Sequence, residues 1–267
     1  MKKETIGILG CGWYGLALAK VLIADGYVVK GSTTTEQKLA KLKEVGIIPY
    51  LVNLSISEFD AEFFKCDVLI ISIPPGKKDH DSLSFVDQIK EISLIAKAKE
   101  VIFISSTGIY QNGNFSVDEN IIPEPISEPG KSLLAAETLL KQNARFTTTI
   151  IRFGGLIGPN RNLAKHFAGK KGIPNGLAPI NLIHLYDCIG LTKAILHKKA
   201  FGLIYHGVAP NHPTRTAFYT QACIDSGFEK PEFMNELLDW KQIESVVVPA
   251  LLKYNWRVSF GIERFKR

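Results

Sequence analysis

The sequence predicts an α/β fold built on a doubly wound parallel sheet, with a smaller C-terminal lobe. Short β-rich apolar runs alternate with helix-length amphipathic stretches from Thr5 to Arg152, the pattern of repeated strand–helix–strand units. Two of these runs, Val68-Leu69-Ile70-Ile71 and Val101-Ile102-Phe103-Ile104, are apolar without alternation. Both of their faces are therefore covered, as in a parallel sheet. A glycine-rich turn, Gly10-Cys11-Gly12-Trp13-Tyr14-Gly15, joins the first strand to the first helix.

In chain order, the Ile, Val and Phe content predicts strands at Thr5 to Leu9, Tyr27 to Gly31, Ile47 to Val52, Asp67 to Ile73, Glu100 to Ser105 and Thr147 to Arg152. Helices fit between them at Tyr14 to Ala24, Glu36 to Val45, Ser82 to Ala98 and Lys131 to Asn143. Beyond Arg152 the pattern turns irregular, with Gly/Pro-rich stretches at Gly154 to Asn160 and Gly169 to Pro179. A helix near Asp187 to His197 and a strand near Leu203 to His206 follow. The expected strand order is 3-2-1-4-5-6 with the strand near Leu203 as a seventh. The expected organisation is a nucleotide-binding domain over 1–155 and a smaller substrate lobe over 156–267, with 181–207 returning a helix and strand to the sheet.

Of the 267 residues, 46% are hydrophobic and 22% charged, with 32 Lys plus Arg against 26 Asp plus Glu. This is a globular profile. The +6 balance is spread along the chain, its densest group being Arg264, Lys266 and Arg267, so nucleic acid is not an expected partner. No run reaches the ~18 to 20 apolar residues of a membrane span, and Gly7, Gly10, Gly12 and Gly15 break the N-terminal stretch that would otherwise mimic a signal peptide. Four scattered cysteines without a C-x-x-C pair exclude a disulfide framework and a thiolate zinc site, and a reducing cytoplasm is the expected location. Cys66, Cys188 and Cys223 read as small core residues.

The glycine turn carries chemistry because of its context. In a dinucleotide-binding turn the first glycine permits the sharp bend and the second lets the backbone approach a pyrophosphate. The third lets helix pack on strand, and the helix N-terminus faces the phosphates with N–H groups and positive dipole. An NAD-type site places Asp or Glu at the end of the second strand to bind the ribose 2′-hydroxyl. Here the chain reads Lys30-Gly31-Ser32-Thr33-Thr34-Thr35, so no carboxylate repels a 2′-phosphate. Ser32, Thr33 and Thr34 can donate hydrogen bonds to it and Lys38 adds charge, which favours NADP over NAD. The alternative is structural: Thr33-x-x-Glu36 is also a capping box for the next helix.

These features resemble the extended, epimerase/dehydratase-like branch of the short-chain dehydrogenase/reductase superfamily, over nearly the whole chain. Ser105-Ser106-Thr107-Gly108-Ile109-Tyr110 resembles its S-S-[ST]-x-x-Y signature. Arg152 to Pro159 resembles its R-x-x-G-x-x-G-P stretch, and Asn181 to Asp187 its N-x-I-H-x-x-D element. Gly-Ser-x-Thr-Thr after the second strand and His166-Phe-Ala-Gly-Lys170 resemble the atypical YeeZ-like subgroup. The resemblance implies a Rossmann-type sheet and a ligand cleft. It places Gly10, Cys11, Gly12, Trp13, Tyr14 and Gly15 at the cofactor, with Ile73, Pro74, Pro75 and Ser105 beside it. It also implies a small polar metabolite as substrate of an oxidoreductase or epimerase. Homodimerisation through a four-helix arrangement is seen in many relatives, but no distinct apolar stripe on these helices decides it.

One departure matters. The superfamily's Tyr-x-x-x-Lys pair transfers a proton and lowers the tyrosine pKa. Aligning Glu137 with the glutamate that commonly follows that lysine puts Leu133 at the lysine position and Pro129 at the tyrosine position. Catalysis then falls to Thr107, Tyr110 and Lys131, or is lost, leaving a non-catalytic sensor of the NADP/NADPH state. Arg152 either meets an anionic substrate or pairs with a carboxylate. Asn181 and His184 are expected to border the substrate, and Asp187 to cap the helix it precedes.

Overall fold

The structure, a computed structural model, describes residues 3–76 and 83–260. Ser82, which opens the third predicted helix, and the basic residues Arg264, Lys266 and Arg267 lie outside the described residues. The strands are β1 (Thr5–Leu9), β2 (Val28–Thr33), β3 (Ile48–Asn53), β4 (Glu58–Phe59), β5 (Val68–Ile71), β6 (Glu100–Ser106), β7 (Phe115–Val117), β8 (Thr147–Phe153), β9 (Gly155–Ile157), β10 (Leu182–His184), β11 (Ile204–Gly207) and β12 (Lys241–Ile243). The helices are α1 (Trp13–Ala24), α2 (Leu39–Glu44), α3 (Phe85–Ile95), α4 (Glu128–Lys141), α5 (Leu185–Lys198) and α6 (Arg215–Asp225).

Eight strands form one sheet in the order β11-β8-β6-β5-β1-β2-β3-β4. In sequence-derived numbering this is 3-2-1-4-5-6 with the seventh strand beside the sixth, and one strand was not anticipated. β1 pairs in parallel with β2 and β5, β2 with β3, and β5 with β6. β4 is a two-residue strand antiparallel to β3, too short for periodicity to reveal. Every residue of β5 is buried, as an apolar run without alternation requires when helices cover both faces.

The chain makes two compact units. The first comprises Met1–Ile109, Pro125–Arg152 and Thr192–Ile204, and the second Tyr110–Glu124, Phe153–Leu191 and Tyr205–Arg267. In the first, Leu18, Ala19 and Leu22 of α1 bury against the sheet with Ile6, Ile8 and Ile70, and the Tyr14 and Thr192 hydroxyls meet at 2.7 Å. In the second, Ile180, Leu182, Ala209, Phe218 and Phe260 form an apolar cluster, and β9 pairs in parallel with β10 and β7 with β12. No helix among the described residues is long and apolar enough to cross a membrane.

Asp187 is not the expected helix cap. It lies inside α5, fully buried, and its carboxylate accepts from the Tyr254 hydroxyl (2.9 Å) and from the backbone N–H groups of Arg257 (2.7 Å) and Val258 (3.0 Å). Three converging donors hold the carboxylate more effectively than one helix terminus would, and the residue anchors a distant segment instead.

Candidate functional site

The glycine turn is pinned from both sides. Gly10 N–H donates to Ser32 Oγ at 2.9 Å, Ser72 Oγ donates to the Gly10 carbonyl at 2.9 Å, and Cys11 N–H donates to the Ser32 carbonyl at 3.0 Å. Gly10 sits at φ +98°, a conformation that only glycine adopts without strain. A Cβ on Gly15 would collide with the Gly10 carbonyl oxygen, so the third glycine sets the closeness of α1 to the turn. Gly12 differs from both: a Cβ there would meet nothing within 4 Å. The chain leaves open the place where a ligand backbone would pass.

A cavity of about 330 Å³ opens at this turn, at the carboxyl ends of β1, β2 and β3. Gly10, Cys11 and Gly12 line one side of it, and Ser32, Thr33, Thr34 and Lys38 another. Ile73 closes the edge. Among the described residues, no aspartate or glutamate lines it. The threonines do not form the capping box: Glu36 opens a short 3₁₀ turn whose N-cap, Thr35, makes no side-chain cap bond. Thr33 Oγ1 instead accepts from Thr35 N–H at 3.2 Å, while Thr34 and Lys38 stay exposed beside the cavity. Ser32 is buried and occupied by Gly10. Burial pushes the Cys11 thiol up to about 12, so it remains protonated and non-nucleophilic.

Sequence reasoning missed the lining residues Leu9, Val52, Asn53, Leu54, Ser55 and Gln88. Asn53 ends β3, and its Oδ1 accepts from Ser55 Oγ and Ser55 N–H. Its position follows from the strand order, since β3 neighbours β2. Gln88 arrives on α3 through tertiary packing alone. Trp13, Tyr14, Gly15, Pro74, Pro75 and Ser105 are not among the cavity's lining residues.

Ser105 belongs to another group. Its hydroxyl donates to Glu137 Oε1 at 2.6 Å, and Arg152 binds both oxygens of that carboxylate, Nε to Oε1 at 3.1 Å and Nη2 to Oε2 at 2.6 Å. All three residues are buried. Of the two roles open to Arg152 in the sequence, carboxylate pairing is thus the one seen. Thr107 is buried at the end of β6, where a short 3₁₀ turn begins. On α4, Lys131 pairs with Glu128 on the exposed first turn, and Pro129 and Leu133 occupy the first two turns.

In the second unit, Tyr110 and His206 are buried and joined, hydroxyl to Nε2, at 2.9 Å. His206 Nδ1 faces the Glu244 carbonyl at 2.8 Å, an acceptor, so Nδ1 carries the proton and the Tyr110 hydroxyl donates to Nε2. Lys241 Nζ donates to the Tyr110 carbonyl. Asn181 is held by β12: its Nδ2 donates to the Lys241 carbonyl at 2.9 Å and its Oδ1 accepts from Ile243 N–H at 2.8 Å. His184 lines a different cavity in this unit.

The sheet order and the glycine turn together define a Rossmann-type fold. Residues 5–105 match the family described as NADP oxidoreductase, coenzyme F420-dependent. Protein YeeZ of Escherichia coli (strain K12) is 34% identical over 246 residues, covering 89% of this chain and 88% of the relative; the chain belongs to the YeeZ family. Among solved structures, the UDP-glucuronic acid 4-epimerase of Bacillus cereus in complex with NAD superposes with a TM-score of 0.79 at 18% identity, covering 97% of this chain and 94% of that one. A functionally unknown conserved protein from Silicibacter pomeroyi does so with a TM-score of 0.79 at 17% identity, covering 99% and 98%.

Proposed function

We propose that the chain binds NADP in the glycine-turn cavity and works as an oxidoreductase or epimerase on a small polar metabolite. The carrying observation is the cavity's lining: a preformed glycine turn, open space beside Gly12, and an edge of Thr33, Thr34 and Lys38 with no carboxylate among the described residues. Gly10 and Cys11 have their N–H groups bonded to Ser32, so the pyrophosphate would lie over Gly12, the N-cap of α1, and face the positive end of that helix. With Ser32 and Thr33 engaged in local hydrogen bonds, the Thr34 hydroxyl and the Lys38 ammonium are the groups for a 2′-phosphate. Asn53 and Ser55 would face the adenosine end. NADP supplies the hydride chemistry when bound.

Proton transfer is assigned to Thr107 and Tyr110. The Tyr110 phenol already directs its proton to His206 Nε2, which provides a base for it in the absence of the superfamily's lysine. Lys131, engaged with Glu128 on an exposed turn, is the weaker candidate. The reading is tested by following NADPH fluorescence with a panel of small carbonyl compounds: turnover that falls in Thr107→Val and in Tyr110→Phe supports it. Tight NADPH binding with no turnover on any of them favours a non-catalytic NADP(H) sensor, the reading that Pro129 and Leu133 on α4 support.

A further inference from the structure

The chain contains two Asn-Gly pairs, Asn112-Gly113 and Asn175-Gly176. At such a pair the glycine amide nitrogen can attack the asparagine side chain, because glycine has no Cβ to crowd the approach. Both pairs lie in the second unit, and both hold the same residue, Asp239. Asn112 Nδ2 donates to Asp239 Oδ2 at 2.9 Å, and Asn175 Nδ2 donates to the Asp239 carbonyl at 2.5 Å. The two pairs differ in how firmly each is locked.

Asn175 is engaged at both ends of its amide, since its Oδ1 accepts from Leu238 N–H at 2.9 Å. Gly176 is buried, and its N–H donates to the Met234 carbonyl at 3.1 Å. Freeing that nitrogen for attack breaks two side-chain bonds and strands a buried donor, a costly opening. Asn112 and Gly113 are exposed, and the Asn112 side chain is held by its one bond to Asp239. Gly113 N–H donates to the Trp240 carbonyl at 3.1 Å, but Asn114 N–H donates to the same oxygen at 2.9 Å. When Gly113 lets go, Asn114 keeps that carbonyl paired and water takes the freed N–H. Packing also retains the reactive glycine, because a Cβ on Gly113 would collide with the Phe115 ring.

We propose that Asn112 is a site of spontaneous deamidation, and that the carboxylate left beside Asp239 weakens the docking of this loop. The Gly113 nitrogen bonds to Asn112 Cγ, the Cγ–Nδ2 bond breaks, and ammonia departs with the glycine proton. Water then opens the succinimide to aspartate or isoaspartate. An amide that donated to Asp239 Oδ2 becomes a second anion in its place. The loop follows Tyr110, whose carbonyl Lys241 Nζ holds, and the proposal does not depend on the cofactor reading.

The test is to incubate the full chain in mildly alkaline buffer, with a urea-unfolded sample in parallel, and to map the peptides by mass spectrometry. Each pair reacts from its locally opened state, so conversion at Asn112 is expected to outrun conversion at Asn175 by about tenfold or more in the folded chain, with comparable rates in urea. No conversion at Asn112 in the folded chain, conversion at Asn175 as fast, or the same preference in urea overturns the proposal. The charge step has its own readout. Asn112→Asp is expected to lower the melting temperature by about 2 °C or more, by less in high salt, and adding Asp239→Asn to restore it. A melt that Asn112→Asp leaves unchanged, or that Asp239→Asn does not restore, overturns the weakening. The incubation needs no variant, so it remains decisive if Asn112→Asp fails to fold.

Discussion

Arg152 and Glu137 form an ion pair inside the first unit, Nη2 to Oε2 at 2.6 Å, with 3% and 2% of their side chains exposed. Removing one partner leaves a buried charge without its counterion. Arg152→Met is expected to destabilise the fold by about 3–5 kcal/mol, and the double variant Arg152→Met/Glu137→Leu to recover most of the loss. Urea denaturation of the three proteins measures both effects. A double variant no more stable than Arg152→Met would mean that the pair's own attraction, rather than relief of an isolated charge, dominates.

The glycines separate fold from binding. Gly15→Ala drives a Cβ into the Gly10 carbonyl and is expected to lower stability by about 1–3 kcal/mol. Gly12→Val meets no protein atom within 4 Å of its Cβ, so its melting temperature should move by less than about 3 °C, while NADPH affinity falls by about tenfold or more. Calorimetric titration paired with a melt distinguishes the two.

Lys38 is the charge available for a 2′-phosphate. In Lys38→Ala, NADPH binding should weaken by about tenfold, or ~1.4 kcal/mol, with NADH binding unchanged. Equal weakening of both nucleotides would place Lys38 elsewhere on the ligand.

Tyr110→Phe removes the hydroxyl that meets His206 Nε2 at 2.9 Å in a buried site, and a cost of about 1–3 kcal/mol in urea unfolding is expected. Much of this geometry was illegible in the sequence. Strand order and the glycine turn could be read because they rest on local signals: continuous apolar runs such as Val68 to Ile71, and a motif fixed by neighbours in the chain. Tyr110 and His206 stand 96 residues apart, and nothing in either segment announces the other. Asp187 looked like a cap because local hydrogen bonding is the usual use of a carboxylate before a helix; its partners lie about 70 residues downstream, beyond any periodicity argument. Arg152 could be read as a paired residue, yet its partner on α4 emerged only with the packing of that helix.

His212 gives stability a pH dependence. Its Nδ1 donates to the Ile180 carbonyl at 3.3 Å, its Nε2 lies 3.8 Å from Glu244, and only 5% of the side chain is exposed. Burial holds its pKa below the usual 6.5 despite both of those groups, and His184 shifts the same way. Between the lowered folded value and 6.5 the unfolded chain binds more protons, so stability falls as the pH drops through that window. Unfolding free energies from about pH 7.5 to about pH 5.5 should show this slope, reduced in His212→Gln.

The central claim, a phosphorylated dinucleotide in the glycine-turn cavity, is tested most directly by thermal-shift titration with NADPH, NADP, NADH and NAD. A ligand bound only by the folded chain raises its stability by ~2.7 kcal/mol at a hundredfold excess over Kd. The account predicts a shift for NADPH and NADP that exceeds the shift for NADH and NAD at every concentration. No shift with any of the four, or one confined to NADH and NAD, contradicts it.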